Sequence, residues 1–84
     1  MRVEIRMFMK FKEYLPAGST NGKVVISVKD GATLADILDG LGIPCDEPKL
    51  VIINGISRGV SEVVNAETLS DGDVVAIFPP SGGG

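Results

Sequence analysis

The chain has no histidine and no tryptophan, and only one cysteine and one tyrosine. Without histidine it lacks the side chain most often used as a general base or metal ligand near neutral pH. With a single cysteine besides, neither a Ser-His-Asp nor a Cys-His arrangement can be built, and no metal site is expected. One cysteine also excludes an internal disulfide, which fits a reducing cytoplasm. No G-x-x-x-x-G-K-[ST] loop is present to cradle a phosphate, so no bound nucleotide is expected. No apolar run approaches the ~20 residues of a membrane helix. The opening Met1-Arg2-Val3-Glu4-Ile5-Arg6 alternates charged and apolar residues, unlike a secretory signal. A formal net charge of −3 disfavours nucleic acid as a partner. These absences describe a protein that is acted upon.

The 84 residues, 44% of them hydrophobic, suit one globular domain with a modest core. Val3, Ile5, Met7, Met9 and Phe11 share one parity, and Arg2, Glu4, Arg6, Phe8 and Lys10 the other, which predicts a half-buried strand over 2–11. Phe8 falls on the charged side of that strand. It is a lone exposed aromatic, a packing partner across the sheet, or an anchor for another protein. Lys12 to Gly22, with Pro16, Gly18, Asn21 and Gly22, reads as a loop, and Lys23 to Val28 as a second strand pairing with the first.

Thr33 is placed to cap a helix, with Asp36 reaching back, and Leu34, Ile37, Leu38 and Leu41 fall at helical spacing. Gly40 and Gly42 are the expected stop. A helix this short is stable only if its apolar face lies on a sheet. Its Asp36 and Asp39 read as a solvated face. Cys45 sits in a two-proline connector, where Asp46 and Glu47 are expected to raise its pKa and oppose nucleophilic use.

Leu50-Val51-Ile52-Ile53 is a continuous apolar run, followed by the hairpin pair Asn54-Gly55. From Ile56 to Thr68 neither period prevails, and the segment reads as irregular. Asp71-Gly72-Asp73 is a turn, and Val74 to Phe78 a last strand with Val75 and Ile77 on one parity and Phe78 on the other. The order predicts an α+β domain with one main helix on one face of a mixed sheet of four to five strands. The first and last strands are the plausible parallel pair. The boundaries are 1–78 for the domain and 79–84 for a tail. Pro79-Pro80 stop the strand, and Ser81-Gly82-Gly83-Gly84 follow.

With these pieces in order, the chain resembles the MoaD/ThiS family of ubiquitin-like sulfur carriers. The resemblance is carried by Phe8-Met9-Lys10-Phe11-Lys12-Glu13-Tyr14-Leu15, by Val51-Ile52-Ile53-Asn54-Gly55, by Leu69 through Pro80, and by the terminal Gly83-Gly84. The Pro-Pro ending and the length are closer to the MoaD branch, the small subunit of molybdopterin synthase. The tail departs from the family in lacking a valine after the prolines, and residues 56–67 form a longer stretch than usual.

The resemblance implies a β-grasp fold and a protein that is not an enzyme on its own. An E1-like adenylyltransferase would use ATP and Mg²⁺ to activate the Gly84 carboxylate. A sulfur donor protein would supply the sulfur for a thiocarboxylate there. Gly83 and Gly84 would enter the partner's active site, and the large synthase subunit would receive the sulfur for the pterin of the molybdenum cofactor. Partners would grip Phe8 and Phe78, with Ile56 beside them and Pro79, Pro80, Ser81 and Gly82 as the approach. Arg2, Arg6, Lys10 and Lys12 read as a solvated face or, if they rim that patch, as charges that steer an acidic partner. The same tail chemistry also suits a ubiquitin-like modifier joined to lysines, or a carrier serving thiamine or another metabolite. An inert β-grasp module with a frayed terminus is the remaining alternative.

Overall fold

The computed structural model describes residues 1–80. Five strands, β1 (Arg2–Met7), β2 (Lys23–Ser27), β3 (Leu50–Ile53), β4 (Ile56–Gly59) and β5 (Val74–Phe78), form one mixed sheet in the order β2-β1-β5-β3-β4. One helix, α1 (Leu34–Leu41), and two 3₁₀ helices, Met9–Tyr14 and Glu62–Ala66, complete the described elements. β1 and β5 are parallel neighbours at the centre, and the other pairings are antiparallel. This is the β-grasp, ubiquitin-like architecture, with five strands.

Alternation decides which side chains are inside. Val3, Ile5 and Met7 of β1, Val51 and Ile53 of β3, and Val75 and Ile77 of β5 all point to the face that α1 covers. Leu34, Ile37 and Leu38 of α1 close the core from the other side. The helix begins with a complete capping box. Thr33 Oγ1 accepts the Asp36 N–H at 3.4 Å, and Asp36 Oδ2 accepts the Thr33 N–H at 2.9 Å. It ends at Gly42, in the left-handed region at φ 80°. Gly40, expected to help stop the helix, lies inside it.

Three sequence expectations need correction. β1 stops at Met7, and the chain turns at Met9, whose φ is +54°. Met9 is therefore 68% exposed, although strand alternation had placed it inside. Phe11 is fully buried as expected, but from a 3₁₀ helix. Within the stretch read as irregular, Ile56–Gly59 is a paired edge strand, and Val64 of the second 3₁₀ helix is buried. A register shift between Val51 and Ile52 hides the regular period there, because a bulge moves the chain out of phase with simple alternation.

Two turns are locked together. Asn54 and Gly55 both have positive φ, 52° and 81°, as a two-residue hairpin of the type I′ form requires. Asn54 Oδ1 accepts the Val74 N–H at 2.9 Å, and its Nδ2 donates to Asp73 Oδ1 at 2.9 Å. The Asn54 N–H also donates to the Val74 carbonyl at 2.8 Å. Asp73 in turn accepts the Ser70 N–H at 2.8 Å, and Asp71 accepts the Arg2 N–H at 2.7 Å. The starts of β1 and β5 are thus set by side chains of the turns around them.

Candidate functional site

The outer face of the sheet, away from α1, carries the residues of opposite parity. On β1 these are Arg2, Glu4 and Arg6, and Phe8 continues the series. On β5 they are Val74, Ala76 and Phe78. The parallel register sets Met7 beside Ile77, and the Phe8 N–H donates to the Ile77 carbonyl at 3.1 Å. Phe8 therefore arrives beside Phe78, where the rings stack with centroids 4.1 Å apart and planes 6° from parallel. Such a pair is worth about 0.5–1.5 kcal/mol beyond the area it buries.

β3 extends the patch. Leu50 pairs with Phe78, and Ile52 with Ala76, on the same outer face. Leu50, Ile52, Ala76, Phe8 and Phe78 are all half-buried. Leu50, Ile52 and Ala76 are not among the contact residues expected from the sequence. The available signal was that Leu50–Ile53 is apolar on both parities, as a strand needs when both its faces are to be covered. Pro79 is half-buried at the edge of this patch and Pro80 is exposed. Ser81, Gly82, Gly83 and Gly84 lie outside the described residues.

Ile56 is not part of this patch. Its register partner is Ile53, and directly opposite residues share a face. Ile53 points into the core, so Ile56 projects on the helix side of the sheet, at the edge and 61% exposed. The two-residue turn decides this, since it pairs the residues on either side of Asn54-Gly55.

Of the basic residues expected to rim the patch, Arg2 sits at the opposite end of β1 from Phe8, and Arg6 and Lys10 are only partly available. Arg6 is paired with Glu4 of its own strand, and Lys10 Nζ lies 3.1 Å from Glu47. Among the described residues, Arg2 and Lys12 have no ion-pair partner, and both are exposed.

Cys45 and the aspartates of α1 do not form a reactive group. Burial pushes the Cys45 thiol up, and the Asp39 carboxylate, whose Oδ1 lies 3.7 Å from Sγ, adds to this. The direction is the expected one, but the main acidic neighbour is Asp39, with Asp46 a lesser contributor. The nearby Lys49 ammonium opposes the rise. Lys49 is buried, and its Nζ donates to the carbonyls of Cys45 and Glu47, which holds the connector in place. Asp36 is committed to the helix cap. The Thr33 N–H it accepts, aided by Lys29 and the Thr33 hydroxyl, holds its carboxyl below the ordinary value. No group of three or more His, Cys, Asp or Glu side chains placed to hold a metal occurs among the described residues. No helix among them is long and apolar enough to cross a membrane.

Fold and patch together define a ubiquitin-like β-grasp protein of the MoaD/ThiS type. The chain belongs to the Mut7-C ubiquitin family, whose profile matches residues 1–82. Among solved structures it is similar to SAMP1 of Haloferax volcanii, at 28% identity and a TM-score of 0.68 over 100% of both chains. It is also similar to the HVO 2177 protein of the same organism, at 33% identity and a TM-score of 0.67, covering 100% of this chain and 87% of that one. A third relative is a protein assigned as molybdopterin converting factor subunit 1 of Pyrococcus furiosus. It shows 26% identity and a TM-score of 0.67 over 95% of this chain and 98% of that one. No curated protein sequence matches the chain.

Proposed function

We propose that this protein is a sulfur carrier whose reactive group is the C-terminal carboxylate of Gly84. A terminal carboxylate has a pKa of about 3.3–3.7, is ionised at neutral pH and is a poor electrophile. It must be converted to an acyl donor before sulfur can replace one of its oxygens. In this reading an E1-like enzyme transfers AMP from ATP, with Mg²⁺, to the Gly84 carboxylate and releases pyrophosphate. Sulfide-level sulfur delivered by a donor protein then attacks the acyl carbon, AMP leaves, and a thiocarboxylate remains. The sulfur passes to a pterin precursor of the molybdenum cofactor, with the large subunit of molybdopterin synthase as the second partner. The chain itself supplies the grip and the reach, with no cofactor of its own.

The observation that carries this reading is the position of the apolar patch. β5 ends at Phe78, the tail leaves at Pro79, and Phe8, Phe78 and Leu50 lie together at that point of departure. A partner seated on the patch holds the origin of the Gly-Gly tail. The likeness to the Pyrococcus furiosus protein favours molybdopterin as the destination.

The likeness to SAMP1, a small archaeal modifier protein, favours a second reading in which the same activated carboxylate is joined to lysines of other proteins. Incubation with an E1-like enzyme, ATP and a sulfur donor, followed by intact-mass measurement, tests the first. Replacement of one oxygen by sulfur at the C-terminus is the expected result. Heavier isopeptide conjugates without a thiocarboxylate would support the second reading. An unchanged mass in every arm would leave an inert interaction module.

A further inference from the structure

The chain contains two Asn-Gly pairs, Asn21-Gly22 and Asn54-Gly55, and the fold treats them in opposite ways. Both form the tips of tight turns with positive φ at each residue, 53° and 76° at the first and 52° and 81° at the second. Asparagine followed by glycine suits such a turn, because asparagine tolerates the left-handed region and glycine has no Cβ. Gly22 is also fixed by space, since a Cβ there would lie 3.1 Å from the Met7 carbonyl oxygen. Turn geometry thus accounts for both pairs.

The same pair is chemically reactive. The backbone nitrogen that follows an asparagine can attack the side-chain amide carbon, and glycine leaves that nitrogen least shielded. At Asn54 the attack is blocked. Its Oδ1 accepts the Val74 N–H and its Nδ2 donates to Asp73, each at 2.9 Å, so the amide is held away from Gly55. Asn21 is exposed, and among the described residues its side chain makes no hydrogen bond. The Gly22 N–H likewise has no acceptor among them. A single bridge, Thr20–Lys23, closes this turn at the start of β2, so opening it leaves the rest of β2 paired with β1.

The surroundings are cationic as well. Lys23 follows the turn directly, and the Lys12 Cε lies 3.7 Å from the Cβ position of Gly22. Neither lysine has an ion-pair partner among the described residues. Positive charge beside the turn favours loss of the Gly22 amide proton and stabilises the oxyanion that forms on the Asn21 side chain.

From this arrangement we propose that Asn21-Gly22 is a site of spontaneous deamidation, through which the ageing protein gains a carboxylate beside the end of β1. The Gly22 nitrogen loses its proton and bonds to the Asn21 Cγ, and Nδ2 leaves as ammonia, giving a cyclic succinimide. Water then opens the ring at either carbonyl. One product is aspartate; the other is isoaspartate, in which the backbone runs through the former side chain. Both add a negative charge beside Lys12 and Lys23. Isoaspartate also inserts a methylene into the turn, which displaces the Gly22 carbonyl from the Met7 N–H that donates to it at 2.9 Å. Met7 is buried and immediately precedes Phe8, so the change reaches the end of β1. No atom of the Gly-Gly tail takes part, and the proposal stands independently of the sulfur-carrier reading.

The test incubates the full chain at mildly alkaline pH, folded and in concentrated guanidinium, and follows each Asn-Gly pair by peptide-resolved mass spectrometry. The change of amide to acid also excludes isomerisation at Asp30-Gly31 or Asp71-Gly72, which leaves mass unaltered. In guanidinium the two pairs are expected to react within ~3-fold of one another, because neither retains its folded surroundings. In the folded chain Asn21 is expected to react at least ~10-fold faster than Asn54, whose amide must first give up two hydrogen bonds. Enzymatic methylation reads isoaspartate in the product, and that product is expected to show faster hydrogen exchange at the Met7 amide. Asn21→Asp carries the charge on a normal backbone and is expected to keep Met7 protected. Asn21→Gly is expected to fold and to abolish the mass change at that peptide. A folded-state rate at Asn21 no greater than at Asn54, or an Asn21 that reacts in guanidinium and stays intact in the folded chain, would overturn the proposal. Unchanged Met7 exchange in the isoaspartate product would overturn the effect on β1.

Discussion

Phe8 and Phe78 meet face to face, 4.1 Å apart at their centroids, where the central parallel strands end. Neither is in the core, so each has two roles open to it: stiffening this end of the sheet and presenting an apolar surface to a partner. A double-mutant cycle in urea separates them. Phe8→Ala and Phe78→Ala are each expected to cost about 1–2 kcal/mol of stability, with a coupling of about 0.5–1.5 kcal/mol between them. Binding to an E1-like enzyme is expected to weaken by ~10-fold or more for either variant, as at a hot-spot residue. A loss of stability above about 3 kcal/mol with unchanged binding would reassign both rings to the core.

If the proposed carrier chemistry holds, deleting Gly84 separates the folded domain from the reactive group. The domain behind the tail is expected to unfold at an unchanged temperature, while adenylate formation by an E1-like enzyme disappears. Pyrophosphate release in the presence of ATP measures the second quantity directly. Gly84→Ala is expected to fall between, since the proposed entry of the tail into a partner's active site would leave little room for a methyl group.

Asn54 joins two turns through both ends of its amide. Asn54→Ala removes an acceptor for the Val74 N–H and a donor for Asp73, and puts a Cβ without a helpful polar group at φ 52°. The expected loss is about 2–3 kcal/mol, measured as a shift of the urea midpoint at constant slope. Asn54→Gly relieves the backbone while losing the same hydrogen bonds, and is expected to cost less than the alanine variant.

Met9 occupies the left-handed region with an exposed side chain and makes the turn that ends β1. The conformation costs roughly 1–2 kcal/mol for a residue with a Cβ, and glycine's extra unfolded-state freedom offsets part of the relief. Met9→Gly is therefore expected to be neutral or to stabilise by up to about 1 kcal/mol. Met9→Val, β-branched, is expected to destabilise by at least ~1 kcal/mol. Thermal unfolding of the pair checks the sign of each.

The cap of α1 carries an acid-side pH dependence. Asp36 has a folded-state pKa below its ordinary value of 3.8, chiefly because it accepts the Thr33 N–H. A depressed carboxylate contributes stability that is present above the ordinary value and is lost as pH falls through the lowered one. The unfolding midpoint of the wild type is expected to drop more steeply below pH 3.8 than that of Asp36→Ala. Parallel curves would show that the cap does not titrate with folding.

The sequence by itself determined the local events. Thr33 and Asp36 specify a helix start within four residues, Asn54-Gly55 a two-residue turn, and alternation in 2–7 and 74–78 a pair of half-buried strands. Each of these depends on neighbours in the chain, where steric and hydrogen-bonding preferences act without help from distant segments. The resemblance to sulfur carriers was legible for the same reason, since its motifs are turns and strand ends in a fixed order. Only the tertiary structure decided what Phe8 meets, that Leu50 and Ile52 extend its patch, that Ile56 faces the other way, and that Met9 leaves the core. It also decided that Gly40, which looked like a helix stop, lines an open groove. These depend on strand register and on which edge stays unpaired. Register is set by contacts between residues far apart in the chain, and a one-residue shift exchanges one face of a strand for the other.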